Sequence, residues 1–268
     1  MKRLDFPDML LALALCLAVV LAVCVALPAA GFATPVAPAG IGLAALGFLP
    51  LGVTARVWSN VQIALQSAIA TALTASGITK ASPGVFSYAS GTDPADGDYV
   101  VMSATGMKEL DAKIIRVDNP NAGANTFELE GENTTSYSTA GSSDTASVLT
   151  FGTSLGIVRS VSVSGGEPSF IDATTIHDSV NKQIPGNFSP VTLSFTCLWD
   201  PADAGLAALK AASDIKALRG LKVSFADGAK ALFYGYVAAS GFPTGQAQQV
   251  VETPVVFTSF GRPNFYST

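Results

Sequence analysis

The chain has 268 residues, enough for one large domain or two small ones and for a full hydrophobic core. Only 13% of them are Asp, Glu, Lys or Arg, while Gly, Ser, Thr and Ala abound, which suits a β-rich, loop-rich protein better than a charged helical one. A formal net charge of −5 excludes a protein that grips nucleic acid through its phosphates, and three cysteines, two of them in one apolar run, exclude a disulfide framework or a CxxC metal pair.

Met9 to Leu27 is uncharged and long enough to cross a bilayer, with Lys2 and Arg3 before it and Pro28 and small residues after it. Alone, it reads as a membrane helix or as a signal peptide cleaved after Ala33, and Val23 before Cys24 argues against a lipoprotein site. A second apolar stretch, Val36 to Val53, is broken by prolines and glycines, and the composition changes after Arg56. Residues 1–57 are expected to form an apolar helical extension, and the body to begin near Val57 or Trp58.

In the body, Asn60 to Leu73 fits both an alternating and a helical template. From Ile78 to Tyr137, short apolar runs bounded by Gly, Asp and Asn read as the strands of a compact β-module. Ser138 to Thr150, rich in Ser, Thr, Ala and Gly, reads as a linker or exposed loop. In Val191 to Trp199 the apolar Val191, Leu193, Phe195, Cys197 and Trp199 alternate with polar residues, the pattern of a strand with one buried face. Cys197 within it is expected to act as a small buried hydrophobe.

Asp200-Pro201 opens the single convincing helix. Asp200 is expected to cap it, Pro201 to take a position where no N–H is needed, and Asp203 to favour its positive end. Leu206, Leu209 and Ala212 give its buried face, and Gly220 is expected to end it. "LKVSFADGAKALFYGYV" reads as a hairpin turning at Asp227-Gly228, and "VVETPVVFTSFG" as the last strand.

Gly152-Thr153-Ser154-Leu155-Gly156 matches the G-x-S-x-G pattern of a hydrolase nucleophile, which needs a sharp strand-to-helix turn. The alternating, β-branched "IVRSVSVSGGE" follows instead, so the motif is expected to be a turn leading into a strand. A triad would have to use the single histidine, His177, with Glu167 or Asp172 as the carboxylate between. His177-Asp178 reads as a structural or interface pair. Asp93 to Asp98 lacks the alternating spacing of a calcium loop and reads as a turn. Glu128, Glu130 and Glu132 alternate on one strand and read as a solvated face. No catalytic residue, cofactor site or metal site is expected.

Two stretches are similar to known families. "ITKASPGVFSY", "DGDYVVMSATGMKELDAKIIRV" and "NTFELEGENTTSY" resemble a small β-barrel module found in many phage proteins and similar to the one inserted in ubiquitin-activating enzymes. From about Thr150 to Thr268, "GGEPSFIDATTIHDSVNKQIPG", "PVTLSFTCLWDPADAGLAAL", "VSFADGAKALFYGYVAASGFPTG" and "VVETPVVFTSFGRP" resemble the tail tube protein, or major tail protein, of phages with long non-contractile tails.

The resemblance implies a mainly β chain: a tail-tube-type β-sandwich or barrel with one flanking α-helix, built from residues 58–77 and 141–268, with the small barrel module at 78–140. It implies hexameric rings stacked into a tube that conducts DNA on ejection, in the virion tail, after assembly in the host bacterial cytoplasm. The implied partners are further copies of the chain and the tail terminator, tape-measure and baseplate or tip proteins. DNA would pass an acidic lumen without specific binding, and there is no small-molecule substrate. In the family, a long loop reaches the neighbouring ring or subunit. Here that loop is Ile171 to Pro190, with Asp172, Thr174, Thr175, His177, Asp178, Lys182 and Pro185 as contact residues. Tube proteins carry no signal peptide, so residues 1–57 are expected to be an upstream start or a joined reading frame. The alternative reading is a membrane-anchored or exported β-rich surface or binding protein whose apolar N-terminus is genuine.

Overall fold

Residues 58–267 are described by the computed structural model; the expected N-terminal extension lies outside the described residues. In chain order the strands are β1 (Gln62–Leu65), β2 (Ala68–Ile69), β3 (Leu73–Ile78), β4 (Gly84–Tyr88), β5 (Tyr99–Ser103), β6 (Ile114–Asn121), β7 (Thr126–Leu129) and β8 (Thr145–Thr150). There follow β9 (Thr153–Ser154), β10 (Val158–Ser164), β11 (Pro168–Asp172), β12 (Gln183–Phe188) and β13 (Thr192–Leu198). After these come the helix α1 (Ala204–Asp214), then β14 (Leu218–Ser224), β15 (Lys230–Ala239), β16 (Glu252–Ser259) and β17 (Asn264–Tyr266). The ambiguous stretch at Asn60 is therefore extended, with Ile63 and Leu65 buried and Gln62 exposed in the two-residue period of a strand.

The larger sheet is antiparallel in the order β10-β13-β16-β15-β14-β1-β9, with β17 beside β15. One of its faces carries Ile63, Leu65, Leu193, Phe195, Cys197, Leu221, Val223, Phe233, Val255 and Phe257 into a single core. The alternation read in Val191 to Trp199 is β13: Leu193, Phe195 and Cys197 are buried, while Trp199, beyond the strand's end, is exposed and donates its Nε1–H to the Gly241 carbonyl at 3.1 Å. Burial, with Asp203 nearby, pushes the Cys197 thiol up to about 11. The thiolate is the reactive form, so Cys197 is expected to resist alkylation at pH 8 in the folded chain and to label fully in denaturant. Peptide mapping by mass spectrometry reads this directly.

The helix starts later and ends earlier than expected. Asp203, not Asp200, caps α1 by accepting from the Leu206 amide at 2.8 Å, while Asp200 accepts from the Ala202 amide at 2.9 Å in the preceding turn. Two acids three residues apart both fit a cap, and the second holds the free amides. Leu206, Leu209 and Ala212 are buried, and Leu209 and Ala212 join the core. The left-handed residue after α1 is Lys216, at φ 50°, and Gly220 lies inside β14. β14 and β15 turn at Asp227-Gly228, with Gly228 at φ 91°.

The chain leaves the larger sheet after β1 and returns at β9, where Leu65 sits opposite Thr153. Between those points β3-β4-β7-β6-β5-β8 close into a six-stranded antiparallel barrel, with β2 on β8. Closure removes the exposed edges that an open small sheet would present. Phe86 and Phe127 stack at 5.0 Å between ring centres, and Val100, Met102, Ile115, Val117 and Leu129 complete the interior. Residues 145–150, expected within a linker, are instead the strand that closes the barrel. Ala146, Ser147 and Leu149 are buried there, which composition alone did not reveal. The six barrel strands run from Leu73 to Thr150.

The carboxylates of the barrel also differ from a solvated row. Glu128 bonds to Asn119 and Glu130 forms a two-pronged ion pair with Arg116, while Glu132 is buried. β7 ends at Leu129, and Gly131, at φ 73°, lies in the turn after it, where Glu132 faces inward onto Lys113. Asp144, fully buried, accepts from the amides of Thr105 at 2.7 Å, Gly106 at 3.0 Å and Gly141 at 2.8 Å. Burial pushes its carboxyl up, but the surrounding amides outweigh this and hold it below the ordinary value. The group then contributes full stability above the ordinary carboxylate pKa of about 3.9 and loses it as pH falls through the depressed folded value. Asp144→Asn is expected to cost about 1–3 kcal/mol at pH 7 and to flatten the acid limb of stability. Denaturant unfolding from pH 7 to pH 3 measures both.

Candidate assembly surface

After β10, Gly165 and Gly166 both stand at φ 84°, and a Cβ on Gly165 would lie 2.1 Å from the Pro190 carbonyl oxygen. Only glycine allows that approach, and it lets β11 and β12 leave the sheet as a separate two-stranded hairpin, the arm. The base of the arm is closed by the Ser189 amide bonding to the Glu167 carbonyl at 2.9 Å.

All seven contact residues expected from the sequence lie on this arm. Asp172 closes β11 and accepts from the Thr174 amide at 2.8 Å; Thr174, by hydroxyl and amide, holds it below the usual carboxylate range. At the tip, Asp178 pairs with Lys182 and accepts from the Thr175 amide at 3.0 Å and hydroxyl at 2.9 Å. Its carboxyl too is held low, first by Lys182. The Lys182 amide bonds to the Thr174 hydroxyl at 3.0 Å. Pro185 lies opposite Phe170 in the ladder, and His177 is exposed. The polar residues thus tie the tip to itself and shape it.

The sequence reading passed over the apolar residues between them. Phe170, Ile171, Ile184 and Phe188 are at least half exposed, Val180 is 72% exposed and Ile176 96%. Ile171 and Ile184 are directly opposed and share one face. None of these side chains enters either core. The signal was present in "FIDATTIHDSV", where large apolar residues recur among turn formers without the period of a buried element.

Beside the arm, β10 ends the larger sheet and, among the described residues, pairs on one side only, with β13. Such an edge offers unpaired backbone groups to another strand. Ser154 lies exposed in β9, and the strand β10 follows it where a nucleophile would need a helix.

A sheet edge that no described strand covers and an arm that turns large apolar side chains to solvent are the features of a structural protein rather than of an enzyme's pocket. The family model described as "Phage tail tube protein, TTP" matches residues 105–268, and the chain belongs to that family. No curated protein matches it. The family is structural rather than enzymatic, so the chain is a component of the phage tail tube in the virion.

Proposed function

We propose that the chain forms hexameric rings that stack into the tail tube and conduct DNA on ejection, with residues 58–67 and 151–267 as the tube domain and the barrel inserted between them. The observation that carries this reading is the arm. A monomer gains nothing by holding Ile176 and Val180 in water, whereas a neighbouring subunit that covers them recovers their burial, about 25 cal/mol per Å2 of apolar surface. Asp172, Thr174, Thr175, His177, Asp178, Lys182 and Pro185 hold and flank that contact. The β10 edge pairs with a strand of the next subunit in the ring, so that the ring has no free edge. Assembly takes place in the host cytoplasm, and the tube ends meet the terminator, tape-measure and baseplate or tip proteins. The acidic balance of the chain keeps DNA from adhering to the lumen. Electron microscopy of the purified chain and of virion tails tests the reading. Hollow tubes of six-fold rings are expected, and a protein that stays monomeric under assembly conditions refutes it.

A further inference from the structure

A cleft of about 1440 Å3 opens where the barrel, the foot of the arm and the C-terminal strands meet. Trp58, Val163, Phe188, Phe260 and Phe265 line it, each at least half exposed. Its volume exceeds the roughly 300–1,000 Å3 of small-molecule pockets and suits a folded segment of chain. Its own arm does not fill it: the foot of the arm forms one wall, and Ile176 at the tip is almost wholly in solvent. The five residues of β11, at about 3.3 Å each, carry the tip about 15 Å beyond that foot.

We propose that this cleft receives the arm tip of a second copy of the chain, Ile176 and Val180 seating among Trp58, Phe260 and Phe265. The inference rests on the arm being the inter-subunit contact and names the surface that receives it. Charge agrees with this occupant. The cleft is lined by Lys108, Lys230, Arg262 and the Glu132-paired Lys113 against the two carboxylates Glu109 and Asp111, so its wall is net positive, and Arg262 lies 4.0 Å over the Phe188 ring. The tip brings Asp172 and Asp178 against Lys182 alone, a net negative charge. Tip and cleft are different patches of one subunit, so the contact is heterologous: each arm ends at the foot of the next, the geometry that builds rings and tubes.

The test uses the full chain with Ile176→Glu on the tip and Phe260→Glu in the cleft, both exposed positions where unchanged thermal melts establish folding. Each variant alone is expected to self-associate about a hundredfold more weakly by sedimentation. Mixed, the intact tip of one and the intact cleft of the other make one contact, so association is expected to recover in species that contain both variants. If Phe260→Glu assembles like the parent, the cleft is not the receptor and the proposal falls while the arm reading stands. If Ile176→Glu assembles like the parent, the arm reading falls with it. A mixture that stays monomeric also overturns the proposal.

Discussion

Excising residues 168–188 and joining the foot of the arm by an Asn-Gly turn is expected to give a folded subunit that forms no tubes. The join is short, because Glu167 and Ser189 are already hydrogen-bonded across the gap, and Asn-Gly supplies the left-handed turn that such a hairpin needs. The arm adds no side chain to either core, so removing it sacrifices little burial within the subunit. Stability is expected to stay within about 1 kcal/mol of the parent, as for surface changes away from structural features. Assembly, in contrast, loses the exposed apolar anchors Phe170, Ile171, Ile176, Val180 and Ile184 together. Thermal melts and electron microscopy of one preparation read the two outcomes side by side. Tubes of normal abundance from the excised chain would count against the arm as the assembly contact.

Lys113→Ala is expected to be the most damaging single substitution for stability, at about 3–5 kcal/mol. Lys113 and Glu132 are both buried, with Nζ 2.7 and 2.9 Å from the two carboxylate oxygens. Without the ammonium, Glu132 would keep only neutral donors, the Tyr137 hydroxyl at 3.1 Å and the Asn264 side-chain amide at 3.2 Å. A charge left buried costs far more than the pair contributes, so Lys113→Met combined with Glu132→Gln is expected to restore more than half of the loss. Denaturant unfolding of the parent, Lys113→Met, Glu132→Gln and the double variant gives the coupling. A mild effect of Lys113→Ala, below about 1 kcal/mol, would show that the site admits water. Because Asn264 also donates to the Ile114 carbonyl at 2.9 Å and the Arg116 amide donates to the Tyr266 hydroxyl at 2.9 Å, this pair lies where the C-terminal strand fastens the barrel. The same substitution is therefore expected to loosen the barrel from the sheet before either unfolds.

What the sequence revealed and what it hid follow physical lines. β13 and the β14–β15 hairpin were legible because one face meets a core and the other does not, so burial writes a period of two into the residues, and Asp227-Gly228 marks the reversal. The helix was legible in its buried face but not in its limits. "DPAD" offers two caps, and the exit uses Lys216 in a left-handed conformation where a glycine was expected. β8 was hidden because both of its faces are covered, Ala146 by the barrel interior and Leu149 by the seam with the larger sheet, so small and polar residues such as Ala146 and Ser147 serve as well as large ones. Glu132 was hidden because β7 ends before it, and the turn at Gly131 takes it out of the alternating row. The polar residues of the arm were read on a resemblance, but its apolar anchors and the cleft were not. Trp58, Phe188 and Phe260 are far apart in the chain, and no local pattern brings them to one wall.

Gly220 carries a last consequence. A Cβ there would lie 3.1 Å from Leu149, 3.2 Å from Ile114 and 3.2 Å from Phe151, so the barrel rests directly on the bare backbone of β14, with Leu232 in the shared apolar seam. Both ends of the inserted barrel emerge side by side, at Leu65 and Thr153, as in a socket. Such a socket permits exchange: evolution or an engineer can replace the barrel with another small module without cutting the tube's own ladder. The incoming module must present a flat apolar face to Gly220 and Leu232, or the vacated seam becomes a sticky patch on every subunit of the tail.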